Sequence, residues 1–373
     1  MCSSLKKVVQ ITTVHPRYDT RIFHKECKSL AKQYEVMLIV ADGLGNETKD
    51  KIKIIDIGQR QSSRIKRMRI DSKKAYKKAL ELDAEVYHFH DPELLPVGLK
   101  LKRRGKKIVF DAHEDLPKQL LSKPYLNKIT GMIISGFITV YEKIVCRKYD
   151  FILTATPSIR DKFLQFNKYV IDINNYPLLG ELHIQTEWQD KQNEVCYVGG
   201  ITEIRGIKEV VKAFETVDGC KLNLAGEFSA ITTKDFVSQF KGWSKVNEFG
   251  FLSREEVQQL MARSKAGIVT FLPFPNHIDA QPNKMFEYMS AGLPVIASHF
   301  PLWREIVEGN NCGICVDPEK PEEIANTINY ILKNDKEAAN MGANGRNAVL
   351  EKYNWGTEKK KLLHVYSQIL KIT

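Results

Sequence analysis

Apolar and polar positions along this chain follow two periods. Short runs rich in Val and Ile recur through the first half: "KVVQITTV", "EVMLIVA", "IKIIDI", "AEVYHFH", "KKIVFDA" and "DFILTAT". Between them lie stretches with helical spacing, such as "DTRIFHKECKSLAKQY". Strands alternating with helices predict a parallel sheet, and the unbroken apolar character of the runs agrees with burial on both faces. The second half repeats the theme, with "NEVCYVGG", "CKLNLAG", "KVNEFGF", "AGIVTF", "LPVIAS" and "GICV" as strands. "SREEVQQLMARS" opens with Ser253 and has Glu256 three residues on, the signature of a capping box. "PEEIANTINYILKN" starts with a proline and two glutamates, which suit a helix N-terminus.

The pattern fades from Asn174 to about Gln192, which is polar, contains Pro177 and Gly180, and has no clear period. This predicts an N-terminal domain over 1–175, a linker over 176–192, a C-terminal domain over 193–354 and a last helix within 355–373. That helix carries Leu362, Leu363, Tyr366, Ile369 and Leu370 on one stripe and is expected to pack back towards the N-terminal domain. The expected fold class is α/β, with two Rossmann-like doubly wound domains facing across a cleft. Ligands in such sheets bind at the carboxyl ends of the strands.

Composition narrows the classes. A chain of 373 residues is too long for one ordinary core. The longest apolar stretch, "GMIISGFITVY" from Gly131 to Tyr141, is short and broken by Ser, Gly and Thr, so no membrane span is expected. The first residues lack a signal-peptide pattern. Seven scattered cysteines suit a reducing cytoplasm better than a disulfide framework. Cys312 and Cys315 form one C-x-x-C with no second pair, which reads as a loop entering a short buried strand rather than a zinc or redox site.

Charge is unevenly placed. Residues 1–175 hold 34 Lys and Arg against 20 Asp and Glu, while the remainder holds 22 against 25. The basic half favours an anionic partner: nucleic acid, a membrane surface or a phosphorylated acceptor. "RQSSRIKRMRIDSKKAYKKAL", Arg60 to Leu80, has nine basic residues and one acidic, with Ile65, Met68, Ala75, Tyr76 and Ala79 on a possible common face. It reads either as a basic amphipathic helix on anionic lipid or as a crossover helix with a solvated basic face. No aromatic-interleaved basic motif is present, so nucleic acid is not an expected partner.

Three groups of residues carry candidate chemistry. In "HIDAQPNKMFEYMSAGLPVIAS", Pro282 suits a first helical position and Gly292 a helix end. Asp279 then lies in the preceding loop, Asn283 and Lys284 in the first turn, and Glu287 in the second. A helix N-terminus attracts phosphate, Lys284 strengthens that, and Glu287 suits a pair of hydroxyls. A capped surface helix with a Lys–Glu pair reads the same residues equally well. In "YVGGITEIRGIKEVV", a strand ends at Gly199-Gly200, where backbone can approach a ligand, and Arg205 is placed to pair with a diphosphate. Neither a dinucleotide fingerprint nor a P-loop is present, and a plain strand–helix turn is the other reading. In the first half, "HPRYDTRIFH" (His15, Arg17, Asp19, Arg21), "HFHDPELLPVG" (His88, His90, Asp91) and "VFDAHEDLP" (Asp111, His113, Glu114, Asp115) each end a strand. Together they predict a polar binding edge; without tight His spacing, no metal site is expected.

The order of these stretches resembles the retaining glycosyltransferases of family 4, of GT-B architecture, over nearly the whole chain. The most specific segment is "AQPNKMFEYMSAGLPVI", where the family's paired acids fall on Asp279 and Glu287, the first being Asp here. By this resemblance Glu287 holds the nucleotide ribose, Asp279 the donor sugar hydroxyls, and His113 lies near the donor sugar. Where the family has arginine and lysine around the diphosphate, this chain has Gly200 and Arg205, which leaves the charge to Arg205 and Lys284. The resemblance implies Arg205, Lys284, His113 and Asp279 as catalytic residues, and Gly199, Gly200, Arg205, Asn283, Lys284 and Glu287 as nucleotide-binding. His15, Asp19, Arg21, His90, Asp91 and Glu114 fall on the acceptor side. It implies sugar transfer from a nucleoside diphosphate sugar to an acceptor hydroxyl with retention and without a metal or cofactor. The expected acceptor is a lipid-linked saccharide in bacterial surface polysaccharide assembly, such as lipopolysaccharide. The expected place is the cytoplasm, peripheral at the inner face of the plasma membrane. A nucleotide-sugar epimerase of the same fold and an inactive sugar-nucleotide-binding subunit remain open alternatives.

Overall fold

Each of those apolar runs is a strand in the computed structural model, which describes residues 5–121 and 127–371. The expectation for the first residues falls partly on 1–4, outside the described residues. The chain divides into two compact units, Met1–Asn175 with Gly356–Thr373, and Tyr176–Trp355.

The first unit holds β1 (Lys7–Ile11), β2 (Glu35–Val40), β3 (Glu47–Lys49), β4 (Ile52–Asp56), β5 (Val86–Phe89), β6 (Lys107–Ala112), β7 (Phe151–Thr154) and β8 (Val170–Asp172). They form one sheet in the order β3-β4-β2-β1-β5-β6-β7-β8, parallel except where β3 runs against β4. Val9 of β1 pairs with Met37 on one side and Tyr87 on the other, and all three are buried. β3 and β8, "ETK" and "VID", are too short and polar to show as apolar runs.

Three local expectations change here. The stretch after β1 is not a plain α-helix: Thr20–Cys27 winds in wide π-type turns before an α-helical end at Lys28–Leu30. Asp19 caps it, its side chain accepting from the Arg21 and Ile22 N–H groups. The basic stretch Arg60–Leu80 is not one amphipathic helix either. A π-type turn at Arg67–Asp71 offsets its halves, so Ala75 and Ala79 are buried while Ile65 and Met68 are exposed. The apolar stretch Gly131–Tyr141 is the centre of a 19-residue helix, Lys128–Cys146. Its segment Ile129–Cys146 is long and apolar enough to cross a membrane by length and composition.

The second unit holds β9 (Glu194–Val198), β10 (Lys221–Ala225), β11 (Val246–Gly250), β12 (Ala266–Val269), β13 (Val295–Ser298) and β14 (Gly313–Val316). All are parallel, in the order β11-β10-β9-β12-β13-β14. The core on one face gathers Met285, Phe286, Tyr288 and Trp303, all buried. Residues 176–192 contribute to this unit: Leu182 is buried, and the Tyr176 ring lies 4.7 Å from that of Phe286. Ser253 and Glu256 form the expected capping box on the helix Arg254–Arg263. In both sheets the strand order reverses beside the strand that starts the unit, β1 and β9, the point where doubly wound sheets open a crevice.

The last helix, Trp355–Lys371, belongs with the first unit from Gly356 onwards. Leu362, Tyr366 and Ile369 of the expected stripe are buried, and the Tyr366 hydroxyl lies 2.9 Å from His88 Nδ1.

Candidate active site

In the second unit the candidate residues gather beyond the ends of β9 and β12. The chain leaves β9 through Gly199, at φ +95°, and Gly200, makes a short 3-10 turn at Glu203–Arg205, and enters the helix Ile207–Ala213 through Gly206. Gly206 sits at φ +76°, and a Cβ there would stand 2.0 Å from the Thr270 carbonyl oxygen, so only glycine lets this loop lie against the end of β12. Arg205 folds back over the loop and donates to the Gly200 carbonyl at 3.1 Å.

The second element is the helix Asn283–Ser290. Pro282 is its cap rather than its first helical residue, with extended ψ of 129°. Asn283 is exposed at its start, whereas Lys284 points inward and is buried. The Lys284 ammonium sits 3.7 Å from the centre of the Tyr197 ring and 5.6 Å from that of Phe271, and makes no hydrogen bond. A Cβ added at Gly199 would stand 3.9 Å from this nitrogen, so lysine and glycine loop are in contact range. Burial, and then the charge of Arg205, push the Lys284 pKa well below its ordinary value. Two cationic side chains thus converge on one loop, and the buried one has no anionic partner bonded to it.

Glu287 is half-buried, its Oε1 accepting from Arg254 at 2.9 Å, while Arg254 also bonds Glu181 at 2.9 Å. Asp279 lies in the turn before the helix, half-buried, as the sequence placed it.

The first unit builds its site in two layers beyond β1, β5 and β6. The deep layer is a buried charge network. Arg21 donates through Nε and Nη2 to both oxygens of Asp111, at 2.7 and 2.8 Å, and through Nη1 to the Ile173 carbonyl at 2.7 Å. Its Nε also lies 3.2 Å from Glu26, whose two carboxyl oxygens have no hydrogen-bond partner. Burial, with Asp111 beside it, pushes the Glu26 carboxyl well up. Burial opposes ionisation of Asp111 too, but Arg21 and His113 hold its carboxyl well below the usual range.

His90 Nε2 lies 2.8 Å from the Gln10 side-chain oxygen. Burial lowers its pKa to about 4, so the ring is neutral, donates through Nε2 and keeps Nδ1 as an acceptor. His113 Nε2 lies 2.8 Å from Asp111 Oδ2 and 3.2 Å from His90 Nδ1, both acceptors. His113 therefore carries its proton on Nε2, aimed at the network, a tautomer set by Asp111. Asp91, also buried, accepts from the Thr13 N–H at 2.5 Å and from the hydroxyls of Thr12 and Thr13, tying the end of β1 to the end of β5.

The outer layer is His15, Asp19, His113 and Glu114. The His15 and His113 rings stand 5.0 Å apart, and His15 Nδ1 lies 3.3 Å from Asp19. Burial lowers the His15 pKa, but Asp19 and Asp91 outweigh it and leave it raised. Glu114 is exposed and bonded to Gln119. Arg21, His90 and Asp91, placed on the acceptor edge by sequence, are buried and act behind it. Arg17 is consumed by Asp42, at 2.7 Å through two bonds, and by Glu47 at 2.8 Å. Among the described residues, Glu26, His88, His90 and Asp111 have the composition to hold a metal ion, with ligand atoms within 4.8 Å of one another. Arg21 is already the counter-ion of Asp111 there, through two hydrogen bonds.

Sequence reasoning missed Glu26, Arg254 and the aromatic floor of Tyr197 and Phe271. Glu26 had a signal, five residues after Arg21 on a helical stretch; "CYVGG" and "TFLPF" gave none beyond strand character.

The family model described as "Glycosyl transferases group 1" matches residues 180–348, and that described as "Glycosyltransferase Family 4" matches residues 20–171. An uncharacterised glycosyltransferase of Methanocaldococcus jannaschii is 26% identical over 182 residues, covering 48% of this chain and 45% of its own length. The chain thus matches less than half of that relative. The sucrose-phosphate synthase of Thermosynechococcus elongatus superposes with a TM-score of 0.81 at 16% identity, over 99% of this chain and 100% of that one. The Anabaena protein HepE in complex with UDP and glucose superposes with a TM-score of 0.74 at 14% identity, over 97% of this chain and 100% of that one. This chain belongs to glycosyltransferase family 4, the glycosyl transferases group 1, and is a transferase of the GT-B fold.

Proposed function

We propose that this enzyme moves a sugar from a nucleoside diphosphate sugar to an acceptor hydroxyl with retention of configuration. The observation that carries the reading is Lys284: a buried ammonium without a hydrogen-bond partner, on the first turn of a helix, beside Arg205 and the glycine end of β9. A lone buried cation is unfavourable, and a diphosphate is the ligand that relieves it. HepE, of the same fold, has been solved with UDP and glucose.

In this reading Lys284, Arg205 and the helix N-terminus hold the diphosphate and stabilise the negative charge that develops as it leaves. Glu287, steadied by Arg254, takes the ribose hydroxyls, and Asp279 takes the sugar. The leaving diphosphate accepts the acceptor's proton, so no protein nucleophile is required. In the first unit, His15 and Asp19 offer polar atoms to the acceptor, and Arg21, Asp111 and His90 fix the tautomer of His113, the residue expected near the donor sugar. The acceptor is a lipid-linked saccharide of bacterial surface polysaccharide assembly, reached at the inner face of the membrane. That assignment rests on the basic first half.

Lys284→Ala is the direct test. Turnover should fall about 10²–10³-fold, the size expected for losing a charge-stabilising donor. Turnover unchanged by the substitution would overturn the assignment.

A further inference from the structure

The helix Lys128–Cys146 leaves most of its apolar surface uncovered. Ile129, Met132, Ile133, Phe137, Val140 and Ile144 are between 54% and 75% exposed and follow each other at helical spacing along one side. Its one carboxylate, Glu142, is buried on the other side against Lys162, at 2.7 Å. The exposed stripe therefore carries no acid, and at its C-terminal end stand Lys143, Arg147 and Lys148, all exposed. A continuous apolar strip of this length is unusual on a soluble surface.

Its neighbours share the charge. The helix Leu95–Lys102 packs between Ser72–Leu82 and Lys128–Cys146, so the three form one layer on one face of the sheet. Right-handed crossovers between β4, β5, β6 and β7 require the same placement. Lys73, Lys74, Lys77 and Lys100 are exposed on the other two helices, and Arg103 and Arg104 are exposed in the turn that follows the second. An apolar stripe bordered by a basic layer matches a bilayer with anionic headgroups: acyl chains take the stripe and phosphates the cations. A second copy of the chain would bring one basic layer up against another.

We infer that the helix Lys128–Cys146 lies in the surface of an anionic membrane, with its apolar stripe among the acyl chains and the basic layer over the headgroups. This deepens the proposed membrane-side acceptor and rests on that reading for its biological setting. It moves the anchor from the basic stretch Arg60–Leu80 to a helix whose apolar stretch looked too short in sequence.

The full chain is sedimented with phosphatidylcholine vesicles, with and without phosphatidylglycerol, near physiological salt. The same is done with the double variant Ile133→Glu, Phe137→Glu. Melting temperature and stabilisation by nucleoside diphosphate are recorded on each sample. Both substituted residues are exposed, so the variant should keep both of these properties. The inference expects the chain to bind the anionic vesicles and the variant to bind on the order of tenfold or more weaker. Equal binding by the variant overturns it, since charge alone would then explain the contact. So does a chain that ignores anionic vesicles, or a solution dimer that the variant splits without any vesicle binding. Loss of vesicle binding by the wild type with nucleotide stabilisation intact sinks this inference and leaves the donor reading standing.

Discussion

On the proposed reading, Lys284 serves a ligand rather than the free protein. Its nitrogen lies against the rings of Tyr197 and Phe271 and has no acceptor. An unsatisfied buried polar group costs about 1–3 kcal/mol. Lys284→Met, similar in shape and uncharged, should therefore raise the melting temperature of the free protein while abolishing nucleotide stabilisation. A calorimetric scan of both proteins, with and without nucleoside diphosphate, checks this. A less stable variant would mean that the lysine is structural. His90 carries a pH signature of its own. Its folded pKa of about 4 lies below the unfolded value, so the unfolded state binds the extra proton between these limits. Its contribution is whole above about pH 6.5 and is lost as pH falls towards about 4, at roughly 1.4 kcal/mol per pH unit. Glu26, raised, acts with the opposite sign over part of that window, so the measurement is the difference between wild type and His90→Gln across pH. A pH-independent difference would contradict the neutral, buried imidazole. At this scale the sequence showed Lys284, Glu287 and Asp279, because a proline and a glycine bracket their helix. It did not show which first-half charges face out: burial of Arg21 and Asp91 depends on partners 152 and 78 residues away.

Among the elements, the loop from β9 to the helix Ile207–Ala213 fixes the candidate diphosphate site. Gly206→Ala would force a Cβ towards the Thr270 carbonyl at a positive φ. The strain should cost about 1–3 kcal/mol and weaken nucleotide affinity, because Arg205 precedes it directly. Thermal unfolding and a nucleotide titration check both effects; a fully stable variant with normal affinity would show that the loop relaxes freely. The parallel strands were legible because strands covered on both faces must be apolar throughout. β3 and β8 were not, being edge strands of three residues. The π-type turns at Thr20–Cys27 and Arg67–Asp71 were invisible too. A wide turn slips the helical phase by one residue, which a periodic reading averages away.

For the whole molecule, the sequence divided the chemistry well. The excess of cations lies in the first 175 residues, and the candidate nucleotide site lies in the other unit, which is slightly acidic. On the proposed reading a diphosphate is thus held by local placement of Arg205 and Lys284 rather than by the overall field. That makes binding by the lysine variant the sharpest test of the account. Burial and the charge of Arg205 depress the Lys284 pKa in the free protein, and a diphosphate beside it would raise it. The measurement is calorimetric titration of wild type and Lys284→Ala with a panel of nucleoside diphosphates. The account predicts binding by the wild type and loss of binding by Lys284→Ala. Equal binding by the two proteins, or no binding by the wild type, would contradict it.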